Sequence, residues 1–336
     1  MDRFGFISSN MKILLCPYYS IDYGSDVLFE GLVETLGIDN VLEYPEKSSF
    51  HGDTKKAYRY YPCLYDYPVV KTEAEKIEML KNNEFDIILV CCRDINDFRG
   101  REPEKYSEFY ELLKEKSKTI PTYVVDYGDS PDFNQNTIND MNCRAYFKRE
   151  YLKSRDYGSL FIPLNFAYSK KLIPEDINVK RDNTIFWAGR GVNIKCRDRK
   201  EYIKFYEEFK GVPSYSSWHQ NRYRYHMLHH TIGLNLKGAG DDTVRYYEVP
   251  AHGTLLLSQK LDIFIENDFK NGETAVFFDD IEGLKEKLNY CIDNPDYTRK
   301  IAVAGYQWLK QYHTSEVRAK QLLNKIYESL DSDIRL

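Results

Sequence analysis

The sequence predicts an α/β protein with two doubly wound domains, each built around a parallel sheet. Its 336 residues are enough to bury two separate cores. Apolar strands alternate with amphipathic helices through the first half, and the alternation restarts near residue 184 after a polar stretch. Strand–helix–strand units of this kind form parallel sheets with right-handed crossovers. We place the first domain at residues 1–168, the second at 169–315, and a terminal helix that packs back across the seam at 316–336.

The first domain begins with a buried strand over residues 12–18, followed by the loop Asp22-Tyr-Gly-Ser25. The helix after this loop ends at Gly37, a residue type that tolerates the left-handed backbone of a C-cap. Further strands are predicted at 41–43, 85–92, 122–125, 143–147 and 159–162, with helices at 73–83 and 103–117. Residues 44–67 show no clear period, which predicts a long functional loop.

The second domain starts with an apolar strand at 184–188, followed by Gly189-Arg190-Gly191. A helix is predicted at 217–230 and a strand at 232–236. A short helix before Gly253 then leads into a buried strand that ends at Ser258. Further amphipathic helices follow at 281–292, 295–312 and 315–330. This order repeats the alternation of the first domain and predicts a second parallel sheet.

The most informative segment runs from Thr243 to Ser258. Arg245 and Glu248 are three residues apart, so they lie on one face of a helix. The helix N-terminus, near residues 241–243, offers backbone N–H groups to an anion. A carboxylate for two ribose hydroxyls, beside donors for a diphosphate, suits a nucleotide-sugar pocket.

This segment resembles the donor-binding core of the GT-B glycosyltransferases, and specifically the group-1 domain of spore-maturation-type (CgeB-like) proteins. Three further motifs follow in that family's order, namely Asn271-Gly-Glu273, Ala302 with Gly305, and His313-Thr314. The resemblance covers roughly residues 184–323. It implies two Rossmann-like domains facing a cleft. It also implies an enzyme that moves a sugar from a nucleotide-diphosphate sugar to an acceptor hydroxyl without a metal.

The resemblance also implies where the donor binds. Glu248 contacts the ribose in this interpretation, and cations after the first strand of the second domain neutralise the leaving diphosphate. Arg190 and Arg197 suit that role best, with Arg199 and Lys237 as further candidates, because cations pair with phosphate oxygens and a guanidinium does so bidentately. The predicted donor-binding set is Gly24, Gly189, Arg190, Arg197, Lys237, Thr243, Arg245 and Glu248. We expect Glu248→Ala to weaken nucleotide binding with little change in the melting temperature.

The acceptor is expected on the first domain. Gly24 follows the first strand, where GT-B enzymes place a glycine turn near the transferred sugar, and Ser25 is suited to cap the next helix. Asp126 and Asp129 follow a buried strand, so either carboxylate can draw a proton from an acceptor hydroxyl. An Asx turn with a capping aspartate is the structural alternative. The predicted catalytic residues are therefore Asp126, Asp129 and Arg190.

No metal site or cofactor is predicted, since the nucleotide-diphosphate sugar acts as a co-substrate. His226 and His230 are four residues apart on one helix, but no acidic partner completes a zinc motif. Retaining GT-B enzymes commonly carry a glutamate eight residues before the ribose-binding one, and that position falls on Gly240 here. Asp241 and Asp242 follow it, so the stereochemical outcome stays open.

Composition limits the partners. The net charge of −5 gives no general attraction to nucleic acid or anionic lipid. Seven cysteines without a paired framework, and a start that lacks a signal-peptide pattern, favour the cytoplasm, with attachment to the periphery of a membrane left open. No apolar run is long enough to be a transmembrane segment.

Several alternatives remain open on sequence alone. The acceptor is a glycan, a lipid-linked group, a protein or a nucleic acid, and Lys148-Arg149 with Arg222–Arg224 offers a local basic face for the last of these. A nucleotide-sugar epimerase of the same fold would act without an acceptor. A non-catalytic module would bind nucleotide or sugar without turnover, which the missing glutamate at Gly240 allows.

Overall fold

The computed structural model describes residues 10–18, 22–52, 63, 65–91, 103–189, 199–211 and 219–334. Their contacts separate two compact units. The first contains Met1–Thr54, Cys63–Ser169 and Ser315–Leu336, and the second contains Lys170–Thr314. Among the described residues the second unit is therefore one continuous stretch, whereas the first is assembled from segments on both sides of it.

The first unit is built around a parallel sheet. Its strands are β1 (Ile13–Cys16), β2 (Val41–Glu43), β3 (Ile87–Val90), β4 (Thr122–Asp126), β5 (Ala145–Lys148) and β6 (Phe161–Pro163). They lie in the order β2-β1-β3-β4-β5-β6, and every neighbouring pair is parallel. Strands β1 to β5 are buried along their length, as expected for a sheet covered on both faces. The predicted parallel sheet is confirmed.

Helices connect these strands. They are α1 (Tyr23–Leu36), α2 (Glu73–Lys81), α3 (Pro103–Lys116) and α4 (Gln135–Asp140). The predicted end of α1 is confirmed, because Gly37 has a φ of 86° and its N–H bonds to the Val33 carbonyl. Helix α4 is absent from the prediction. Ile138 is the one large apolar side chain among its six residues, so the sequence shows no helical period there. The side chain of Asn134 caps α4 by accepting from the first backbone N–H groups.

The predicted long loop at 44–67 is partly described. Ser48–Phe50 form a short 3-10 turn, and His51 forms an isolated bridge with Asp66. Residues 53–62 and 64 lie outside the described part of the chain. The described residues of this segment therefore carry little regular structure.

The second unit contains strands β7 (Asp182–Phe186), β8 (His230–Asn235), β9 (Leu255–Gln259) and β10 (Val276–Phe278), parallel in the order β10-β9-β8-β7. Its helices are α5 (Arg199–Lys210), α6 (Gln220–His229), α7 (Val244–Ala251), α8 (Ile281–Asp293) and α9 (Pro295–Tyr312). Helix α5 is absent from the sequence prediction, which placed only candidate phosphate-binding cations, Arg199 among them, after β7. Its many charged residues mask the buried stripe of Tyr202, Ile203 and Tyr206.

Each unit has its own apolar core. The first core includes Leu14, Leu42, Ile88, Val90, Val124 and Tyr146. The second includes Ile185, Trp187, Ile232, Leu234, Leu257 and Leu288. Two separate cores agree with the predicted division into two α/β domains.

The terminal helix, α10 (Ser315–Ile334), belongs to the first unit and packs along α1. The Ser315 N–H donates to the Tyr168 carbonyl at 2.9 Å. Gly31 permits the close approach of the two helices, because a Cβ at that position would lie 2.0 Å from the Ser315 carbonyl oxygen. No helix among the described residues, α10 included, is long and apolar enough to cross a membrane.

Candidate donor and acceptor sites

The carboxyl end of the second sheet brings several predicted donor residues together. Ligands of open parallel sheets bind outside the carboxyl ends of the strands. Strand β7 ends at Phe186 and leads through Trp187 and Ala188 to Gly189. Residues 236–243 connect the carboxyl end of β8 to the first turn of α7. These two segments form one edge of the second unit.

Arg245 and Glu248 meet at the hydroxyl group of Tyr223. Arg245 Nε donates to Tyr223 Oη at 3.3 Å, and this hydroxyl donates to Glu248 Oε2 at 2.7 Å. Arg245 Nη2 also donates to the Ala188 carbonyl, and the guanidinium lies 5.6 Å from the ring centroid of Trp187. The three-residue spacing predicts the shared helical face. Tyr223 reaches that face from α6, and no local sequence signal reveals it.

Glu248 is a buried carboxyl group, with 6% of its surface exposed. Burial raises its pKa, whereas the hydrogen bond from Tyr223 and the positive charges of Arg245 and Arg224 oppose that rise. Burial also raises the pKa of Tyr223, so the phenol keeps its proton and donates a hydrogen bond to Glu248. This burial argues against the expectation that Glu248→Ala leaves the melting temperature nearly unchanged, because the substitution removes the acceptor of a buried phenol.

The first turn of α7 presents backbone N–H groups. Thr243 is its N-cap residue, but the Thr243 hydroxyl donates to Asn235 Oδ1 at 2.6 Å and makes no capping bond to the helix. Asn235 is held in turn by donating to Ser258 Oγ at 3.0 Å. The amides of Val244 and Arg245 therefore begin the helix without a side-chain cap, the arrangement in which a helix N-terminus binds an anion.

The loop after β8 is fixed by side chains from neighbouring segments. Arg199 Nε donates to the Lys237 carbonyl at 2.5 Å, and its Nη2 donates to the Leu236 carbonyl at 3.0 Å. Arg199, a candidate phosphate ligand on sequence grounds, thus holds the loop backbone. Lys237 Nζ forms an ion pair with Asp241 Oδ2 at 2.8 Å, and about a third of the lysine side chain, 36%, is exposed. Lys237 is therefore close to the α7 N-terminus with its charge partly balanced.

Gly189 lies against the arginine of the cluster. A Cβ at this position would be 3.1 Å from Trp187 Cζ2 and 3.2 Å from Arg245 Nη2. A side chain there would therefore push the guanidinium or the indole aside. Arg190 and Arg197, the predicted diphosphate ligands, lie outside the described residues.

Gly24 was predicted to lie in a loop, but it lies in the first turn of α1. A Cβ at Gly24 would lie 2.2 Å from Cγ of Tyr127, so the glycine is required by the packing of that ring. The helix is capped by Asp22, which accepts from the Ser25 N–H at 3.4 Å, and not by Ser25. The position of Gly24 thus has a packing explanation within the first unit.

Asp126 is enclosed by partners. Its side chain is fully buried, Oδ2 accepts from Lys148 Nζ at 2.7 Å and from Tyr146 Oη at 2.9 Å, and Oδ1 accepts from the Gly128 N–H at 2.8 Å. The last bond is the Asx turn that the sequence left as the alternative. This geometry argues against the predicted role as a general base, because a base needs an oxygen within reach of the acceptor hydroxyl.

Asp129 has the opposite character. Its side chain is 57% exposed, and Oδ1 accepts from Arg149 Nη2 at 2.6 Å. Arg149 is buried and lies over the ring of Phe166, 4.4 Å from its centroid, while Phe166 stacks on Tyr127 at 5.6 Å. Asp129 is therefore an accessible carboxylate whose orientation is set by a buried guanidinium.

The predicted basic face is contradicted for its first half, Lys148 and Arg149, whereas Arg222 is exposed and Arg224 is partly exposed. Lys148 and Arg149 are 0% and 3% exposed and pair with Asp126 and Asp129, so they cannot present positive charge to a nucleic acid. The predicted histidine pair does not share a helix, because His226 lies on α6 and His230 begins β8, where burial lowers the pKa of His230 to about 4. Among the described residues, no group of three His, Cys, Asp or Glu side chains is placed to hold a metal ion.

Residues 188–324 match a protein-family model described as Glycosyl transferase-like. No curated protein sequence matches the chain. Among solved structures, an alpha-glucosyltransferase in complex with UDP-glucose and DNA containing an abasic site is similar, with a TM-score of 0.61, 12% identity, and coverage of 94% of this chain and 99% of that chain. The Anabaena protein Alr3699/HepE in complex with UDP-glucose gives a TM-score of 0.57 at 11% identity, covering 95% and 100%. Sucrose-phosphate synthase from Thermosynechococcus elongatus gives 0.55 at 10% identity, covering 96% and 100%.

The chain has the GT-B fold. The three structures span almost the whole of this chain, although identities of 10–12% establish the fold alone. The predicted pair of Rossmann-like α/β domains is thereby confirmed. The family match covers the second unit from Ala188 onward and the first half of α10, and it supports a relation of that part to the glycosyl transferases.

Proposed function

We propose that this GT-B protein is a glycosyltransferase that moves a sugar from a nucleotide-diphosphate sugar to an acceptor hydroxyl without a metal. The cluster of Arg245, Tyr223 and Glu248 beside Ala188 and Gly189 carries the proposal. It joins a carboxyl group and a guanidinium at the carboxyl end of β7, next to the α7 N-terminus. Two solved proteins of the same fold hold UDP-glucose, so UDP-glucose is the first donor to test.

In this proposal the donor binds to the second unit by its nucleotide diphosphate. The uncapped amides of Val244 and Arg245 bind phosphate oxygens, helped by the positive end of the helix dipole. Arg190 and Arg197, which follow β7 in the sequence, supply further positive charge. Glu248 accepts from a ribose hydroxyl through Oε1, because Oε2 already accepts from Tyr223.

The transfer breaks the bond between the anomeric carbon and the diphosphate oxygen and forms a bond from that carbon to the acceptor oxygen. Negative charge builds on the leaving diphosphate, so preorganised amides and the guanidinium of Arg190 lower the barrier. The acceptor loses its hydroxyl proton, and Asp129 is the carboxylate on the first unit that receives it. Orientation of the two substrates supplies the remaining acceleration.

We propose a neutral hydroxyl compound, such as a glycan, as the acceptor. The accessible carboxylate of Asp129 suits a hydroxyl donor. The similar alpha-glucosyltransferase was solved with DNA. However, Lys148 and Arg149 of the predicted basic face are buried, and only Arg222 and Arg224 of that face are accessible. Salt-dependent binding of duplex DNA would contradict this choice of acceptor, since phosphate contacts release counterions.

A second candidate is a non-catalytic protein that binds a nucleotide sugar. Gly240 occupies the position of the first glutamate of many retaining GT-B enzymes, and Asp126 is locked in a buried ion pair. Binding without turnover is compatible with both observations. An epimerase is not favoured, because His230 and Asp126, which could move protons, are buried.

Two finer expectations also remain proposals. We propose placement in the spore-maturation-type branch of the GT-B glycosyltransferases, whose members lack a strict glutamate pair, so Gly240 is compatible with membership. A cytoplasmic location, free or peripheral to a membrane, is supported by the unpaired cysteines, of which Cys16, Cys63, Cys91 and Cys291 are buried as free thiols.

Titration calorimetry with UDP, GDP, CDP and dTDP, followed by assays with the matching nucleotide sugars, tests the proposal. We expect Arg245→Gln to weaken binding of the preferred nucleotide about tenfold, or about 1.4 kcal/mol. The matched control is Arg222→Gln, on an exposed position of α6. Equal affinities of Arg245→Gln and wild type would contradict the donor site. Tight nucleotide binding with neither transfer nor donor hydrolysis would favour the non-catalytic candidate.

A further inference from the structure

A cavity of about 240 Å³ lies in the second unit beside α6. Its walls are formed by Pro174, Asn221, Arg224, Tyr225, Leu228 and His252. Four of these residues share one face of α6, since they are spaced three and four apart. His252 comes from the C-terminal end of α7. None of the six belongs to the proposed donor set or to the acceptor carboxylates, so no role has yet been assigned to this cavity.

Arg224 is the charged side chain of the cavity wall. Its Nε is buried without a hydrogen-bond partner, and no ion pair is formed by its guanidinium within the described residues. The nearby carboxyl of Glu248 feels its positive charge, but Glu248 Oε2 accepts from Tyr223. A buried guanidinium N–H without an acceptor is unfavourable. An oxyanion in the cavity supplies the missing acceptor.

The surroundings of the cavity are positive. Burial and the charges of Arg224 and Arg181 lower the pKa of His252 to about 4, so the imidazole is neutral near neutral pH. Arg181 donates to neutral acceptors, the carbonyls of Ile177, His230 and His252 and the hydroxyl of Thr254, which leave its charge uncompensated. A negative ligand is therefore attracted to this side of the unit.

The remaining walls are suited to an apolar group. Tyr225 is 57% exposed, and its ring stacks on His229 with centroids 3.9 Å apart, which fixes its orientation. Leu228 and Pro174 add aliphatic surface, and Asn221 adds an amide. The cavity is smaller than the pockets of about 300–1,000 Å³ that enclose drug-sized ligands. Its occupant is accordingly small.

We propose that this cavity binds a small oxyanion, a phosphate or carboxylate that carries a ring or another compact apolar group. Arg224 pairs with the oxyanion, and Tyr225 and Leu228 contact the apolar part. None of its lining residues belongs to the proposed donor set, although the charge of Arg224 acts on Glu248.

Titration calorimetry of the full chain with phenyl phosphate and with inorganic phosphate tests the proposal. We expect wild type to bind phenyl phosphate more tightly than inorganic phosphate. Arg224→Gln weakens both at least tenfold. Tyr225→Ala removes the preference for phenyl phosphate and leaves the affinity for inorganic phosphate within about twofold, because the ring contacts only the apolar part. Tyr225 is exposed, so this variant keeps its fold even where Arg224→Gln does not.

Two controls separate this site from the donor site. Arg222→Gln changes an arginine of the same helix outside the cavity wall, and Lys237→Gln changes a cation of the donor loop. Both are expected to bind phenyl phosphate as wild type does. The proposal is overturned if wild type binds neither compound, if Arg224→Gln or Tyr225→Ala binds phenyl phosphate as wild type does, or if Lys237→Gln abolishes binding. No sugar donor is used, so failure of the glycosyltransferase proposal leaves the result interpretable.

Discussion

Replacing Tyr223 with phenylalanine removes one hydroxyl group and keeps the aromatic ring. That hydroxyl donates to Glu248 at 2.7 Å and accepts from Arg245 at 3.3 Å. Tyr223 and Glu248 are 9% and 6% exposed, so water does not readily replace the lost bonds. A buried polar group left without its partner costs about 1–3 kcal/mol. We expect Tyr223→Phe to lower the free energy of unfolding at neutral pH by about that amount.

The loss depends on pH through Glu248. Burial raises the folded pKa of Glu248 above its ordinary value of 4.5. A raised folded pKa gives a stability contribution that is fully present below the unfolded pKa and is lost as pH rises through the folded pKa. The hydrogen bond from Tyr223 lowers the folded pKa, so its removal moves this pKa further up. The destabilisation by Tyr223→Phe is therefore smaller at pH 4.5 than at about pH 8.

Urea unfolding at both pH values, followed by circular dichroism, measures the effect. Glu248→Gln and the double variant with Tyr223→Phe complete a mutant cycle, in which contacting residues give coupling energies of about 0.5–3 kcal/mol. Glu248→Gln is a matched control because glutamine has the size of glutamate but no carboxyl group that titrates. Equal stability of Tyr223→Phe and wild type at about pH 8 would refute the reasoning. An equal loss at both pH values would show that the hydroxyl does not act through the charge of Glu248.

Gly24→Ala is expected to lower the unfolding free energy by about 1–3 kcal/mol, because its Cβ would overlap the ring of Tyr127 at 2.2 Å; an unchanged melting temperature would contradict this packing. Asp129→Asn should reduce kcat by about a hundredfold or more with unchanged nucleotide affinity, while Asp126→Asn should mainly lower the melting temperature. Steady-state kinetics and thermal melts of the two variants measure these effects. A large loss of kcat in Asp126→Asn but not in Asp129→Asn would show that Asp126 receives the proton of the acceptor hydroxyl. Arg190→Ala should reduce kcat more than it raises KM, because its contact strengthens as the diphosphate leaves. If this variant has wild-type kinetics, another cation neutralises the leaving diphosphate. Transfer should persist in excess EDTA, and a loss rescued by manganese or magnesium would overturn metal independence.

Elements with a strong local signal were predicted closely. Helix α9 has the predicted bounds, Pro295–Tyr312, because a proline at the first helical position and an apolar period mark it. The short strand Val41–Glu43 was also placed correctly. Helix α5 was missed, since charged residues on its exposed face conceal its buried stripe. Local periodicity therefore accounts for most of the fold and fails where surface charge dominates the segment.

The candidate site was predicted less completely because its side chains are paired across the fold. Tyr223 and Glu248 are 25 residues apart and lie on different helices. Asp126 is opposite Lys148 because β4 and β5 are adjacent and in register, a pairing that follows from sheet topology and not from spacing. Strand ends identify which carboxylates lie at the correct edge. They do not show that Asp126 is enclosed while Asp129 is exposed.

The hydrogen bond between the Ser315 N–H and the Tyr168 carbonyl joins the two points at which the chain leaves and re-enters the first unit. The second unit lies between two segments of the first in the sequence, so all of Lys170–Thr314 is synthesised before α10. In the finished chain the backbone of α10 packs on the face of α1 around Gly31. Until α10 emerges from the ribosome, this face of α1 is uncovered. Domains generally fold as units, with N-terminal ones first during synthesis. In this chain we expect the order to reverse, so that the second unit is complete while the first still waits for its final helix.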